Sequence, residues 1–415
     1  MNPSERSLNL TVAVLGGGLQ GCCIALALAN RGQDVVLFDR QSDILTRTAV
    51  ANEGKVHLGW MYAADPSMST ARVMIEGALA FAPFLERHLG ASPESFTTSE
   101  PAAYAVHRES QHGVCEVKAY FAALHSLIAE ASAGRRDDYF GRDLSLAPRQ
   151  WSDVESLAAF DPSDVLAVFD TPEVAIDPIE LASRLRAAVV AHPRIDMRLE
   201  HEVESASENR DGVTVATRMG EARRKERFDH VVNALWDGRI ALDRTMGRDP
   251  GRAWIHRLKY GVSFTWPENR PRPPSVTFIS GPFGEVVSYP DMTTYLTWYP
   301  SCVLDYSRAI VPPTWATHPD EPFRSKVVDD TISSLGAIVR ALRRIEPDGL
   351  QDLRVKGGTI VAWGETDIDD PESELHKRYE IGVHSWGRYH SVDPGKLTMA
   401  PFFAEICADR IARIG

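Results

Sequence analysis

Apolar residues occur in short runs separated by glycine-rich or polar segments, and two of these runs lie near the start of the chain. Val12–Leu15 and Val35–Phe38 are continuous apolar runs, which is typical of parallel strands buried on both faces. Between them, the segment LQGCCIALALANRG combines small and apolar residues suited to a helix packed on a sheet, and Gly32 is placed to end that helix. The pattern therefore predicts a strand, a helix and a second strand.

Later segments extend this prediction to a mixed α/β chain. Periodic segments predict helices over Ser69–Gly90, Asp177–Pro193 and Asp329–Ile345. Phe228–Leu235 is a further candidate for a buried strand, and Trp254–Asp305 alternates polar and apolar residues as antiparallel strands do. The C-terminal end predicts a strand, a loop and a final helix. The sequence thus contains both a parallel-sheet unit and a separate antiparallel sheet.

The composition is that of an ordinary globular protein. The chain has 415 residues, of which 44% are hydrophobic and 25% charged, and this length favours two domains or one large interrupted domain. The formal net charge of −12 argues against a protein that binds nucleic acid or an anionic membrane. It leaves room for a local basic pocket that takes an anionic substrate.

The cysteines and the most apolar segment further limit the class of protein that this sequence can encode. The five cysteines include no Cys-x-x-Cys pair, so we expect no metal site, and reduced thiols in a cytoplasmic protein are the simplest interpretation. Val12–Ala29 contains three consecutive glycines and a glutamine and lacks a basic leader. We therefore interpret it as a buried strand and helix, not as a signal peptide or a membrane span.

A glycine fingerprint follows the first predicted strand and opens the helix. Gly16 permits a tight turn, Gly18 lets a pyrophosphate approach the backbone, and Gly21 lets the helix lie close to the strand. Asp39 ends the second strand, where a carboxylate accepts hydrogen bonds from ribose hydroxyls and disfavours a 2′-phosphate. The fingerprint predicts a bound dinucleotide and leaves FAD and NAD open.

Four stretches resemble the superfamily of FAD-dependent oxidoreductases that includes D-amino-acid oxidase, glycine oxidase and sarcosine oxidase. They are the fingerprint through Asp39-Arg40, the loop Thr46–Gly59, the segments AIDPIELASRL, HEVES and FDHVVNAL taken together, and the closing segment Gly387–Ile411. The resemblance implies an α/β fold, α+β overall, in which an interrupted Rossmann-type FAD-binding domain is joined to a mainly antiparallel-sheet substrate domain. The implied FAD-binding domain is residues 1–85, 173–245 and 350–415, and the implied substrate domain is residues 86–172 and 246–349.

The resemblance also implies which residues contact the cofactor. Val203 would pack near the adenine or ribose, and backbone N–H groups or a lysine in the Gly395–Thr398 loop would stabilise the negative charge of reduced flavin. Cys302 lies in the wrong part of the chain to tether the flavin, so we expect non-covalent FAD. The full set of expected FAD-binding residues is Gly16, Gly18, Leu19, Gln20, Gly21, Asp39, Arg40, Asn52, Gly54, Lys55, Val203, Ala234, Gly395, Lys396, Leu397 and Thr398.

Five residues are candidates for substrate binding or catalysis. By resemblance, Lys55 would contact the flavin or the oxygen that reoxidises it, and His57 would point the same way in an extended chain. The alternation in HRLKYGVSF places Arg257 and Lys259 on one face, and an Arg or Lys beside a tyrosine such as Tyr299 suits a carboxylate. The alternatives are ordinary exposed loop residues for the first pair and a solvated strand face for the others.

One charged segment near the C-terminal end has no predicted binding role. The acidic run Glu365–Arg378 lacks the spacing and the glycine of a calcium loop, and we interpret it as a solvated loop with capping residues.

The predicted function is oxidation of a C–N bond in a small amine or amino acid, by hydride transfer to FAD. The alternatives are FAD-dependent oxidation of a hydroxy acid or sugar-like alcohol, an NAD-dependent dehydrogenase, and a non-catalytic nucleotide-binding protein. The expected partner is a small polar, carboxylated substrate, with neither nucleic acid nor a membrane span involved. The sequence leaves the electron acceptor and the oligomeric state open.

Overall fold

Two large sheets and one small one organise the chain, as a computed structural model describes it for residues 10–135, 138–368 and 370–414. Residue 369 of the acidic run lies outside the described residues. So do residues 1–9, 136–137 and 415 of the predicted domain ranges.

Seventeen strands occur in the described residues. In chain order they are β1 (Thr11–Leu15), β2 (Asp34–Phe38), β3 (Ala103–His107), β4 (Val165–Asp170), β5 (Ile195–Arg198), β6 (Glu202–Asn209), β7 (Gly212–Met219), β8 (Ala222–Phe228), β9 (His230–Asn233), β10 (Trp254–Thr265), β11 (Val276–Ile279), β12 (Gly284–Ser288), β13 (Thr293–Trp298), β14 (Val303–Ser307), β15 (Gln351–Trp363), β16 (Gly382–Trp386) and β17 (Tyr389–Asp393).

Nine α-helices occur in the same residues. They are α1 (Leu19–Ala29), α2 (Ser69–Leu89), α3 (Val114–Ala131), α4 (Asp153–Ala159), α5 (Pro178–Ala191), α6 (Arg239–Thr245), α7 (Tyr299–Cys302), α8 (Phe323–Ile338) and α9 (Ala400–Ile414). None of the helices in the described ranges is both long and apolar enough to cross a membrane.

The first sheet confirms the predicted strand–helix–strand unit. Its order is β16-β17-β9-β1-β2-β5, and β1 pairs in parallel with both β2 and β9. The β1 residues Val12–Leu15 are fully buried, as expected for a strand covered on both faces. Helix α1 ends at Ala29, and Gly32 takes a φ of +87° in the turn that leads to β2. This sheet is the core of an interrupted Rossmann-type unit.

The second sheet confirms the mainly antiparallel unit. Its order is β14-β10-β13-β12-β11-β3-β4, and β15 also pairs with β10. Among the described strands of this sheet, β3 and β11 are the one parallel pair. The long strand β10 turns Leu258, Tyr260, Val262 and Phe264 into the apolar core beneath α8. The predicted alternation along this strand is therefore present. Strands β6, β7 and β8 form a separate three-stranded sheet.

One helix boundary differs from that expected, and the domain ranges stay a prediction. The β15 strand, which falls in the expected range 350–415, pairs with β10 from Trp363 to Gln351 and so lies in the second sheet. The helix predicted over Asp329–Ile345 is wrong at both ends, because α8 begins at Phe323 and ends at Ile338. Buried Val327 and Val328 extend the apolar face of α8 toward its N-terminus. At the other end, Val339 takes an extended conformation and ends the helix.

We expect Gly21→Ala to destabilise the fold. A Cβ atom at Gly21 would lie 1.8 Å from the carbonyl oxygen of Gly16, so α1 must move away from the glycine turn. Overpacking of this kind lowers the free energy of unfolding by about 1–3 kcal/mol, which urea denaturation of the apoprotein measures. Gly349→Ala is the control, since nothing lies within 4 Å of a Cβ there. An unchanged midpoint for Gly21→Ala would contradict the close helix–strand approach.

Candidate active site

A cavity of about 640 Å³ runs from the glycine turn after β1 to the strands β10 and β15 of the second sheet. Its outer end is bordered by the glycine turn after β1 and by residues of α1, β2 and β6, and its inner end by β10 and the loop before α9. Both sheets therefore contribute to one continuous space, and the side chains along it decide what it can hold.

The glycine turn leaves room where a phosphate would lie. A Cβ atom at Gly16 would meet the carbonyl oxygen of Ala234 at 2.6 Å, whereas a Cβ at Gly18 would enter open space. The first N–H groups of a helix have no partner within the helix, and Gly18, Leu19 and Gln20 border the cavity at the start of α1. This end of the cavity offers backbone donors to an anion.

Asp39 is held beside this turn by backbone donors. Its Oδ2 accepts from the Gly17 N–H at 2.7 Å and its Oδ1 from the Gln41 N–H at 2.7 Å. Burial raises the pKa of Asp39, although these two backbone N–H groups and nearby arginines lower it. Arg47, which also lines the cavity, donates to both oxygens of Asp237 at 3.2 and 2.7 Å and so ties its loop to the end of β9.

Most of the expected cofactor residues border the cavity. Those that do are Gly16, Gly18, Leu19, Gln20, Asp39, Arg40, Asn52, Lys55, Val203, Ala234, Gly395, Lys396 and Leu397.

Three expected cofactor residues do not border it, and each has a packing role instead. Gly21 lies against Gly16, and Gly54 takes a φ of +79° with its Cα so close to Ile176 that a Cβ would meet the Ile176 oxygen at 1.9 Å. Thr398 is buried, and its Oγ1 accepts from the His57 N–H at 2.8 Å. Their contact with the cofactor therefore stays a prediction, whereas their packing roles are direct features of the fold.

Lys55 and His57 are buried and not exposed loop residues. Lys55 is 3% exposed, and its Nζ donates to Thr277 Oγ1 and, at 2.6 Å, to Glu285 Oε2. His57 is also 3% exposed, and its Nδ1 lies 3.2 Å from Glu173 Oε1. Burial lowers the pKa of His57, although Glu173 raises it. Both side chains line the inner end of the cavity.

The polar face of β10 is likewise turned into the cavity. Arg257 is 2% exposed and donates to Asp367 Oδ1 at 2.5 Å, while its Nε has no partner among the described residues. Lys259 lies 3.4 Å from Glu53 and its Nζ lies 5.4 Å from the centre of the Tyr299 ring. Burial lowers the pKa of Lys259, but Glu53 and other nearby groups raise it further, so this lysine is charged.

The sequence analysis did not predict two features of the site. Asp367 and Arg378 both belong to the acidic run interpreted as a solvated loop, yet Asp367 pairs with Arg257 and Arg378 lines the cavity. Part of that interpretation holds, because Ser373 caps the Leu375 N–H. Glu173 was also missed, although it is completely buried behind His57. No periodicity in the sequence marks these three positions.

Cations outnumber their carboxylate partners at the inner end. Five cations line it: Lys55, Arg257, Lys259, Arg378 and Lys396. The first three pair with Glu285, Asp367 and Glu53. Among the described residues, Arg378 and Lys396 have no carboxylate within 4.0 Å. Burial, followed by the nearby Arg378, lowers the pKa of Lys396 to about 7. This end of the cavity is therefore suited to an anionic group.

The donor set fits FAD along the cavity. Open space at Gly18 and the free N–H groups of α1 suit a pyrophosphate, and the Asp39 carboxylate suits a ribose. At the other end, Lys396 and the Gly395–Leu397 backbone suit the negative charge that reduced flavin carries.

Comparison with known proteins supports this fit. Residues 11–347 match the family model described as DAO, FAD-dependent oxidoreductase. A curated relative, an FAD-dependent monooxygenase from Fusarium mangiferae, is 23% identical over 276 residues, which is 66% of this chain and only 60% of that protein.

Two solved structures share the fold. Glycine oxidase from Geobacillus kaustophilus superposes with a TM-score of 0.66 at 16% identity, over 98% of this chain and 96% of that one. An L-α-glycerophosphate oxidase from Mycoplasma pneumoniae, solved with FAD bound, gives a TM-score of 0.65 at 17% identity, over 97% and 94% of the two chains.

We expect Gly18→Ala to weaken FAD binding without unfolding the protein. Its methyl group would enter the open space beside the turn and displace a phosphate from the backbone N–H groups. The dissociation constant for FAD should rise about tenfold or more, which corresponds to about 1.4 kcal/mol. Titration of the apoprotein with FAD measures it, with Gly349→Ala as control. An unchanged constant would show that no phosphate approaches Gly18.

Anion binding at the inner end should weaken as the pH rises through about 7. Lys396 is cationic below that pKa and neutral above it, so a small carboxylate such as benzoate loses an attractive charge. Between pH 6 and pH 8.5 its dissociation constant should rise about five- to tenfold, which is about 1–1.4 kcal/mol. The visible spectrum of the flavoprotein reports the titration. Lys396→Met should flatten this pH dependence, and a variant that keeps it would contradict the assignment.

Proposed function

Because the chain belongs to the DAO family of FAD-dependent oxidoreductases, we propose that it oxidises the C–N bond of a small amine or amino acid that carries an anionic group. The two electrons leave the substrate as a hydride, and non-covalently bound FAD supplies the site that accepts it. The observation that carries this proposal is the pair of cations without a carboxylate within 4.0 Å among the described residues, Arg378 and Lys396, at the inner end of the cavity.

The side chains around the inner end have separable roles in this proposal. Arg378 offers its guanidinium fork to a substrate carboxylate, because a planar fork matches a carboxylate with two parallel hydrogen bonds. Arg257 is held in place by Asp367, and its unpartnered Nε supports the same anion. Lys259 is neutralised by Glu53 and lies over the Tyr299 ring, so these two shape the wall.

Non-covalent attachment is supported by the placement of the cysteines. No cysteine is among the described residues that line the cavity. Cys302 is buried, and its sulfur lies 3.3 Å from Thr331 Oγ1 in the second sheet's core. A cysteine tether to the flavin would require a thiol that faces the cavity.

A hydroxy acid or alcohol is the second candidate substrate. It is favoured by the likeness to the glycerophosphate oxidase fold, and an unpartnered cation serves a phosphate as well as a carboxylate. Oxidation of an alcohol also needs a proton acceptor, for which His57 is available at the cavity wall. The two candidates differ in the reacting bond, so a substrate panel separates them.

Anaerobic mixing of the purified yellow protein with amines, amino acids and hydroxy acids tests the proposal. We expect a carboxylated amine or amino acid to bleach the flavin without added nicotinamide cofactor, and admission of air tests reoxidation. Bleaching by hydroxy acids alone would favour the second candidate. A protein that no compound reduces, or that consumes reduced nicotinamide cofactor as a monooxygenase does, would overturn both.

Arg378→Gln should raise KM for the anionic substrate about tenfold or more while changing kcat much less, because a charge-assisted bidentate contact is lost in both ground and transition states. Steady-state kinetics measure both constants. Arg72→Gln is the matched control, since Arg72 is exposed on α2 and does not line the cavity. Equal KM values for wild type and Arg378→Gln would remove Arg378 from the substrate site.

A further inference from the structure

Glu173 is a completely buried carboxylate surrounded by hydrogen-bond donors. It follows β4 in the segment that leads to α5, and it is 0% exposed. Its Oε2 accepts from the Leu58 N–H at 2.7 Å, and its Oε1 accepts from the Tyr104 hydroxyl at 2.5 Å. The same Oε1 lies 3.2 Å from His57 Nδ1. A buried acid in such a position needs a reason, because desolvation of a carboxylate is costly.

The surroundings keep this carboxylate ionised. Burial raises the pKa of Glu173, but His57, Lys55 and Tyr104 together lower it below its usual value. An ionised carboxylate can only accept hydrogen bonds. His57 Nδ1 must therefore carry the proton that it donates to Glu173, which assigns the tautomer of the ring.

The other ring nitrogen is then free to accept a proton. With the hydrogen on Nδ1, the neutral ring has its lone pair on Nε2. His57 lines the cavity, and its Nε2 has no hydrogen bond to the described residues. The backbone fixes the ring from behind, since the His57 N–H donates to Thr398 Oγ1, and the Tyr62 ring packs edge-on against it at 6.2 Å.

We propose that Glu173 is a positioning residue that holds His57 in the Nδ1–H tautomer, so that His57 Nε2 accepts the proton of the bound substrate. This inference rests on the function proposed above and adds the identity of the proton acceptor and of the residue that orients it. Neither role follows from the glycine fingerprint or from the cation pair.

The proposed proton transfer runs from the substrate ammonium to His57. One N–H bond of the substrate ammonium breaks, its electron pair stays on nitrogen as a lone pair, and the proton forms a bond to Nε2. His57 becomes an imidazolium beside the Glu173 carboxylate, which compensates the new charge. The freed lone pair then forms the C=N bond of an iminium product as the α-hydrogen leaves as a hydride, for which FAD would be the acceptor, and the imidazolium releases its proton to solvent after product leaves.

The charges that face His57 come from three parts of the chain. Glu173 raises its pKa, whereas Lys396 from the loop before α9 and Lys55 from its own segment lower it. Glu53 lies close enough for His57 to lower the Glu53 pKa in turn. Glu173 is the only one of these groups with a hydrogen bond to the imidazole among the described residues.

Glu173→Gln is an informative substitution because an amide cannot satisfy all three donors. If its oxygen faces the Leu58 N–H, its NH₂ group faces the Tyr104 hydroxyl and His57 Nδ1, and the imidazole proton moves to Nε2. If the amide is reversed, two N–H donors oppose each other at Leu58. In either case His57 loses the arrangement that leaves Nε2 free.

The rate of anaerobic flavin reduction, followed against pH in the holoenzyme, tests the proposal. In Glu173→Gln we expect that rate to fall about 10- to 100-fold near neutral pH, which is part of the rate enhancement that a positioned general base contributes. The rising limb of the pH profile should move to lower pH, because the carboxylate that raises the His57 pKa is gone. Glu173→Asp, which keeps the charge, should recover part of the rate.

A double variant separates positioning from a merely structural role. If Glu173 acts through His57, Glu173→Gln should change the reduction rate by less than about twofold in a His57→Gln background. Tyr139→Phe is the control for loosened packing, since its hydroxyl bonds the backbone at Val56 and Val174 without touching the pair. It should lower the thermal midpoint and leave the pH profile in place. Equal losses from Glu173→Gln in both backgrounds, or a wild-type profile in Glu173→Gln, would overturn the proposal.

Nitrogen NMR of holoenzyme with ¹⁵N-labelled histidine determines the tautomer of His57 without any substrate. We expect the His57 signals, identified by their loss in His57→Gln, to show the proton on Nδ1 in the wild type and not in Glu173→Gln. A wild-type proton on Nε2 would overturn the inference even in an active enzyme. Failure of every amine to reduce the flavin would instead overturn the proposed function, and the NMR result would still decide the tautomer.

Discussion

Burial of charge at the inner end of the cavity is the constraint on which the rest of the site depends. A buried cation is tolerated only when a carboxylate and further hydrogen bonds compensate its lost hydration. Glu285 on β12 lies 2.6 Å from Lys55 and 3.7 Å from Lys259, and Glu53 lies 3.4 Å from Lys259. These partners come from the loop before α2, from β10 and from β12. The charge pairs therefore hold the cofactor-side loop against the second sheet in one arrangement.

Pairing some cations while leaving others free prepares the cavity for an anion. The paired lysines and Arg257 cannot leave their positions without exposing a buried carboxylate, so the wall is rigid before any ligand enters. Arg378 and Lys396 lie on that wall without a carboxylate partner among the described residues, and Arg378 makes one side-chain hydrogen bond, to the Gly395 carbonyl. An anion that binds there supplies the negative charge that these cations lack in the free protein. Its binding costs little further conformational entropy, because folding has already ordered the wall.

The parts of the fold and the site that could be predicted are those that local pattern encodes. The glycine turn, α1 and the polar face of β10 follow from spacing and from the two-residue period of a strand, which act within a few residues. Asp367 and Glu173 could not be found this way, because their partners are far away in sequence, and Arg378 lies in a segment without a periodic pattern. Asp367 meets Arg257 across 110 residues and Glu173 meets His57 across 116. Thr398 shows the converse, since it lies in a recognisable segment but packs behind the cavity wall.

The strand order of the first sheet sets when during synthesis the cofactor site can exist. Strand β1 is made before its neighbour β9, which begins at His230, and before β17, which pairs with β9 and ends at Asp393. Until β9 is made, one edge of β1 has no parallel partner, and non-local pairing of this kind is slow to form. The glycine turn is therefore made well before β9 and the loop before α9, and the binding surface closes only after those later segments have been made. In the interval, the growing chain must keep the unpaired edge of β1 from other strand edges.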